Sequence, residues 1–188
     1  MFSVLCSARV SENVWSDGMP NESAMSFMTP PDATDMSDVR RRGAKIIVYQ
    51  GVSDPIFSID DTKKWYRGVD HRSGGRAEDF VRLYPVPGMG HCSGGPATDQ
   101  ADFITPLVNW VERGRAPTGI VATARGAGNA GGVNAEVPAG WSANRSRPLC
   151  PYPSVARYKG HGDIELAASF SCLPPALPHR HGHDHNDE

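Results

Sequence analysis

Apolar positions are scattered through the first forty residues and become patterned only after Gly43. Pro20, Pro30 and Pro31 break up residues 1–43, and no period is sustained there. Residues 1–32 are therefore read as poorly structured, with one or two helical turns over Ser37–Arg42 leading into the next element. Lys45-Ile46-Ile47-Val48-Tyr49-Gln50 is a short β-rich run closed by Gly51. It predicts a strand buried on both faces, as in parallel sheets. Ser58 opens a helix, with Asp61 completing an imperfect capping box. The pattern carries that helix through Trp65 to about Gly68, and polar residues 70–79 follow as a loop. Phe80–Val86 is the second strand. A second helix is predicted from about Asp99 to Arg113, with Phe103, Ile104, Leu107, Val108 and Val111 on one face and Gly114 as its C-terminal stop. Pro106 either kinks this helix or marks a later start. Ile120–Ala124 suits a short strand, and residues 126–148 suit a long surface loop. The order strand, helix, strand, helix predicts an α/β fold with a parallel pair, followed by a loop-rich tail.

Composition narrows the possibilities. The chain has 188 residues, which suits one domain or a piece of a larger one. Lys plus Arg total 19 and Asp plus Glu total 21. That balance leaves no basic footprint for nucleic acid, so Arg40-Arg41-Arg42 reads as a solvated turn. Apolar runs of only a few residues exclude a membrane-spanning helix and a membrane partner. The opening MFSVLCSARV has neither a charged leader nor a long apolar stretch, so no signal peptide is read there. Four cysteines permit two disulfides without assigning them.

In a parallel sheet the loops at the carboxyl ends of the strands carry the chemistry. Each of the two predicted loops holds a titratable residue, Asp54 after the first strand and His91 after the second. An acid followed by a histidine is the second part of the nucleophile–acid–base order of α/β-hydrolases. The histidine would move the proton of a serine hydroxyl, and the acid would hold the imidazole in one tautomer. The alternative assigns both to ordinary loop roles, since Asp before Pro is a common turn residue.

Three segments resemble the tannase/feruloyl esterase family. Gly43-Ala44-Lys45-Ile46-Ile47-Val48-Tyr49-Gln50-Gly51-Val52-Ser53-Asp54-Pro55 resembles its acid-bearing segment. Pro87-Gly88-Met89-Gly90-His91-Cys92-Ser93-Gly94-Gly95 resembles its histidine segment. Tyr152–Gly160 together with Ser169-Phe170-Ser171-Cys172 resembles its closing segment. The likeness runs from about Ala33 to Pro175, with residues 176–188 left as a His-rich disordered tail. It implies the C-terminal part of an α/β-hydrolase sheet that acts on esters of aromatic acids. Asp54 is then the triad acid, His91 the base, and Cys150–Cys172 a disulfide. It also implies a secreted or periplasmic protein and a small aromatic ester as substrate.

The resemblance also marks a gap. The family's serine lies in a Gly-Cys-Ser-x-Gly-Gly elbow far upstream of the acid, and a lid with a calcium site lies between them. No such segment precedes Asp54 here, so no cofactor is expected in this chain. Cys6-Ser7 has the Cys-Ser pair but lacks the glycines, and no strand is read before it. Cys92-Ser93-Gly94-Gly95 has the glycines but follows His91 directly. In the family, the cysteine beside the histidine pairs with the one beside the serine. Cys92 is therefore expected to be an unpaired counterpart, with Cys6 unassigned. With nucleophile and lid absent, the cut sheet is expected to expose Ile47, Val48 and Leu83. The reading is thus a C-terminal fragment of a serine ester hydrolase supplying acid and base. Two alternatives stand beside it. One is a catalytically inactive accessory or binding module. The other is a metal-binding protein using His179, His181, His183 and His185.

Overall fold

β-branched residues dominate Ile46–Gly51, and the segment forms the middle strand of a parallel sheet. The computed structural model describes residues 4–5 and 32–176. In chain order its elements are β1 (Val4–Leu5), α1 (Ser37–Arg41), β2 (Ile46–Gly51), α2 (Ile59–Arg72), β3 (Val81–Val86), β4 (Gln100–Ala101), α3 (Ile104–Arg113), β5 (Ile120–Thr123), β6 (Ser146–Leu149), β7 (Val155–Tyr158) and β8 (Phe170–Leu173). The parallel sheet has the order β1-β2-β3. A second sheet, β4-β5-β6, and a hairpin, β7-β8, are antiparallel. The expected strand–helix alternation is thus interrupted by β4, and the segment read as surface loop over 126–148 ends in strand β6.

The side-chain alternation of β2 and β3 sends residues to two cores. On one face Ile47, Tyr84 and Val86 meet Leu107 and Trp110 of α3, together with Met89, Ile120 and Leu149. On the other, Val48, Val81 and Leu83 meet Tyr66 and Val69 of α2, with Phe80 and the ring of Tyr152. Helices therefore cover both faces of the sheet. Ile47 and Leu83 are fully buried and Val48 nearly so, which corrects the expectation that the three would be exposed. The reason is local: α2, α3 and the chain around Tyr152 supply the cover that absent strands were expected to give. Tyr152 also donates its backbone N–H to the Leu83 carbonyl at 2.7 Å. Its ring stands edge-on to Tyr66.

Helix limits differ from the pattern for identifiable reasons. Ser58 caps α2 by accepting from the Asp60 N–H at 3.2 Å, but the helix continues past Gly68 to Arg72. Gly68 is a packing residue: an added Cβ would lie 2.7 Å from the Thr34 methyl. α3 starts only at Ile104, where the Asp102 carboxylate accepts from the Ile104 and Thr105 amides, each at 2.9 Å. Pro106 falls in the first turn, where a missing N–H costs nothing. Gly114 closes α3 at φ 65°. The buried face of α3 is narrower than predicted: Leu107 and Trp110 are buried, while Ile104 and Val111 are about half exposed. Cys150, just after β6, is joined to Cys172 of β8.

One strand residue breaks a usual rule. Pro85 lies within β3, the outer strand of the sheet, opposite Gln50. The Phe80 and Val86 carbonyls accept from β2 and the residue after it. By alternation the peptide groups of Val81, Leu83 and Pro85 point away from β2, so the missing N–H of Pro85 is on the outer side.

Candidate active site

The carboxyl ends of β2 and β3 are tied together before any side chain is considered. Val52 N–H donates to the Val86 carbonyl and Ser53 N–H to the Met89 carbonyl, both at 3.0 Å. Asp54 follows. Its Oδ1 accepts from the backbone amides of Ile56 (2.8 Å) and Phe57 (3.1 Å), a local Asx-type turn. Gln50, fully buried on β2, donates to the Phe57 carbonyl at 2.8 Å and accepts the Thr62 hydroxyl proton. The turn that carries Asp54 is thus pinned to both β2 and α2. One carboxylate oxygen is committed to the backbone, and the other is left for a partner.

That partner is His91. Its Nδ1 lies 2.9 Å from Asp54 Oδ2. The Asp54 side chain is 2% exposed and that of His91 39%. The Phe57 ring sits 5.2 Å from the imidazole, tilted by 47°. An ionised Asp54 can only accept, so Nδ1 carries the proton and Nε2 is left with its lone pair. Burial acts to raise the Asp54 carboxyl, but the His91 hydrogen bond and the Ile56 and Phe57 amides outweigh it and hold it below the usual carboxylate range. The arrangement is a buried anion holding a half-exposed imidazole in the tautomer that can take a proton at Nε2.

His91 stands on a tight loop. The Gly90 N–H donates to the Gly94 carbonyl at 3.3 Å, closing a ring around residues 91–93. Cys92 occupies the left-handed region at φ 62°, a conformation a non-glycine residue adopts at a cost of order 1 kcal/mol or more. The loop packs against the acid strand at Gly51, where an added Cβ would lie 2.1 Å from the Gly90 carbonyl oxygen and 2.2 Å from that of Met89.

A second set of contacts holds the far side of this loop. The Gly94 N–H donates to Asp99 Oδ2 at 2.8 Å, and the Gly95 N–H to Glu136 Oε2 at 2.6 Å. Asn134 Nδ2 donates to the Gly95 carbonyl at 2.8 Å. Asp99, whose side chain is fully buried, is gripped by Arg125 through Nε and Nη2. Burial alone would raise the Asp99 carboxyl, but Arg125 and the Gly94 amide prevail and lower it. The sequence pattern placed Asp99 at a helix start and 126–148 in an undifferentiated loop, so these contacts were missed. Asn134 before Glu136 in a Gly-rich stretch is a turn signal, but nothing local says what the turn would hold.

Among the sequence-predicted residues, the structure brings Asp54 and His91 together and joins Cys150 to Cys172. Cys92 requires a correction. It is disulfide-bonded, so it is not the unpaired thiol expected from the sequence. A second difference lies at the N-terminus. β1 ends immediately before Cys6-Ser7 and runs parallel to β2, with Leu5 opposite Val48, where the pattern gave no strand. Ser93 is exposed beside His91. Ser7 and the tail histidines lie outside the described residues.

Comparison with known proteins gives a consistent picture. The family described as "Tannase and feruloyl esterase" matches residues 12–173. A mono(2-hydroxyethyl) terephthalate hydrolase of Piscinibacter sakaiensis is 49% identical over 143 residues, covering 76% of this chain and 22% of the relative. A probable feruloyl esterase of Arthroderma benhamiae is 36% identical over 142 residues, covering 73% and 24%. The crystal structure of feruloyl esterase B from Aspergillus oryzae superposes with a TM-score of 0.59 at 26% identity, covering 74% of this chain and 29% of that one. The chain spans about a quarter of the length of the curated relatives it matches.

Proposed function

Because this chain belongs to the tannase and feruloyl esterase family, we propose that it is the acid- and base-bearing portion of a serine carboxylic-ester hydrolase acting on aromatic esters. The observation that carries the reading is the 2.9 Å contact between His91 Nδ1 and the buried carboxylate of Asp54. In the proposed reaction Nε2 of His91 takes the proton of a serine hydroxyl as that oxygen attacks the ester carbonyl. The protonated ring then gives the proton to the departing alkoxide. Water deacylates the enzyme by the same base. Asp54 stays ionised throughout, holding the tautomer and stabilising the imidazolium. The disulfide between Cys150 and Cys172 fits an oxidising compartment, so a secreted or periplasmic location is part of the proposal.

A chimera tests it. Residues 33–175 are exchanged for the matching quarter of the terephthalate hydrolase relative. The chimera is expected to hydrolyse an aryl ester, and His91→Gln or Asp54→Asn to lower kcat by roughly 10³-fold or more. A folded, active chimera indifferent to both substitutions refutes the assignment.

A second reading makes Ser7 the nucleophile, with Cys6 as the disulfide partner of Cys92. Two observations favour it. β1 leads directly into Cys6-Ser7 in the same direction as β2 and β3, and Cys92 is disulfide-bonded. Against it, Leu5, Arg9 and Val10 stand where the family's elbow has glycines. The purified chain decides: aryl-ester turnover lost on Ser7→Ala selects the second reading, and absence of serine-dependent turnover selects the first.

A further inference from the structure

The Asp54 contact fixes only the tip of the His91 side chain. The backbone that presents the ring has two ends, and they are held by different parts of the molecule. At the Gly90 end the contact is with Gly51 and Ser53 of the acid segment. At the Gly94–Gly95 end it is with residues distant in sequence: Arg125 acting through Asp99, then Asn134 and Glu136. These residues are themselves organised. The Asn134 N–H donates to the Arg125 carbonyl at 2.8 Å, and Asn134 Oδ1 accepts from the Glu136 N–H at 3.0 Å. Every polar group of the Gly94-Gly95 peptide pair that points outward from the loop thereby meets a side chain from this set. The loop is closely packed at this end. An added Cβ at Gly95 would lie 2.1 Å from the Gly88 carbonyl oxygen and 3.3 Å from the Gly90 amide nitrogen.

We infer that residues 125–136 form a strap that positions His91, with Glu136 and Asn134 as positioning residues acting on the Gly94 and Gly95 peptides and Asp99–Arg125 as the buried anchor. The inference rests on the reading of His91 as the base and adds the device that aims it. Three features argue for aiming over simple loop packing. The contacts end on backbone groups three and four residues after His91, inside or beside the ring closed by Gly90 and Gly94. Both acceptors, Asp99 and Glu136, are carboxylates, whose hydrogen bonds to amides are shorter and stronger than neutral ones, and the Gly95–Glu136 distance of 2.6 Å agrees. Glu136 is exposed and adds nothing to either apolar core, so its interaction with Gly95 is the main thing it does.

The exposed position of Glu136 makes the inference testable in the intact chain. The readout is the tautomer of His91 at neutral pH, taken from its ring ¹⁵N shifts, which does not need a nucleophile or turnover. The unmodified chain is expected to hold the Nδ1–H form. Glu136→Ala is expected to move a substantial fraction of the ring to the Nε2–H form usual for free imidazole. Its thermal midpoint should stay within about 2 °C, as for other exposed substitutions. Glu136→Gln keeps an acceptor for the Gly95 amide and is expected to restore the Nδ1–H form. Asn134→Ala is expected to act like Glu136→Ala. A ring that stays in the Nδ1–H form in both alanine variants, while Asp54→Asn releases it, overturns the strap and leaves the Asp54–His91 reading intact. An unmodified chain already in the Nε2–H form overturns both.

Discussion

Alanine at Gly51 separates two costs that glycine substitutions usually mix. Gly51 ends β2 with no positive φ, so a side chain there is not strained by backbone conformation. The obstacle is space. The new Cβ would stand 2.1 Å from the Gly90 carbonyl oxygen and 2.2 Å from the Met89 carbonyl oxygen, more than 1 Å inside ordinary contact. Both obstacles are backbone, so no rotamer change relieves them, and the His91 loop itself must retreat. Overpacking of a core by one or two carbons costs about 1–3 kcal/mol, and a rigid backbone puts Gly51→Ala at the upper end, near 3 kcal/mol. Gly114→Ala is the reference: φ there is 65° but nothing lies within 4 Å of the added carbon. It should cost only the conformational penalty of about 1 kcal/mol. Urea unfolding of both variants, with slopes compared to confirm a common mechanism, measures the difference. Gly51→Ala is also expected to lengthen the 2.9 Å Asp54–His91 contact, because Met89 and Gly90 lead directly into His91. Equal or reversed costs for the two variants would refute the claim that acid and base loops meet backbone to backbone at Gly51.

Other outcomes follow from single features. Asp99 has a lowered carboxyl, so its share of stability is complete above about pH 4, the unfolded value, and is lost as pH falls through the folded one. Asp99→Asn should therefore be less stable at neutral pH but show a shallower loss of stability on acidification, followed by denaturant titration at several pH values. Replacing Cys150 and Cys172 by serine opens a 22-residue loop and should cost about 3 kcal/mol on the chain-entropy account. A thermal midpoint within a degree or two of the parent would contradict that. Leu107→Ala empties a fully buried site between α3 and the sheet and should cost about 2–5 kcal/mol in urea unfolding. The buried Tyr84 hydroxyl, whose phenol is pushed up to about 12, donates to the Pro117 carbonyl at 2.6 Å. Arg82 also donates to that carbonyl, at 2.7 Å, so Tyr84→Phe should cost no more than about 1.5 kcal/mol.

What the sequence carried was local. Ile46–Gly51 and Phe80–Val86 are strong β runs, and the residues just past them, Asp54 and His91, could be placed at one sheet edge from strand direction alone. The limits of α2 and α3 were not legible, because Gly68 is set by a methyl group 34 residues earlier and Asp99 is claimed by Arg125. Proximity in space decided both, and a periodic pattern contains no term for it. The strap escaped for the same reason: Asn134 and Glu136 lie some forty residues from the glycines they hold. The burial of Ile47, Val48 and Leu83 was misjudged because cover was sought in strands. It comes instead from two helices and from a C-terminal segment that closes back over Leu83.

Pro85 bears on a different matter, the behaviour of many copies in solution. The outer strand of an open sheet offers a ladder of amides and carbonyls to any passing extended chain, and this is the usual seed of edge-to-edge aggregation. On β3 that ladder is broken twice in a row: the Leu83 carbonyl is taken by Tyr152, and two residues on, Pro85 presents no N–H. A foreign strand would find neither of two successive partners and would meet the pyrrolidine ring in their place. Pro85→Val would leave the parallel pairing with β2 untouched while restoring the amide, and concentrated samples of that variant should aggregate sooner than the parent.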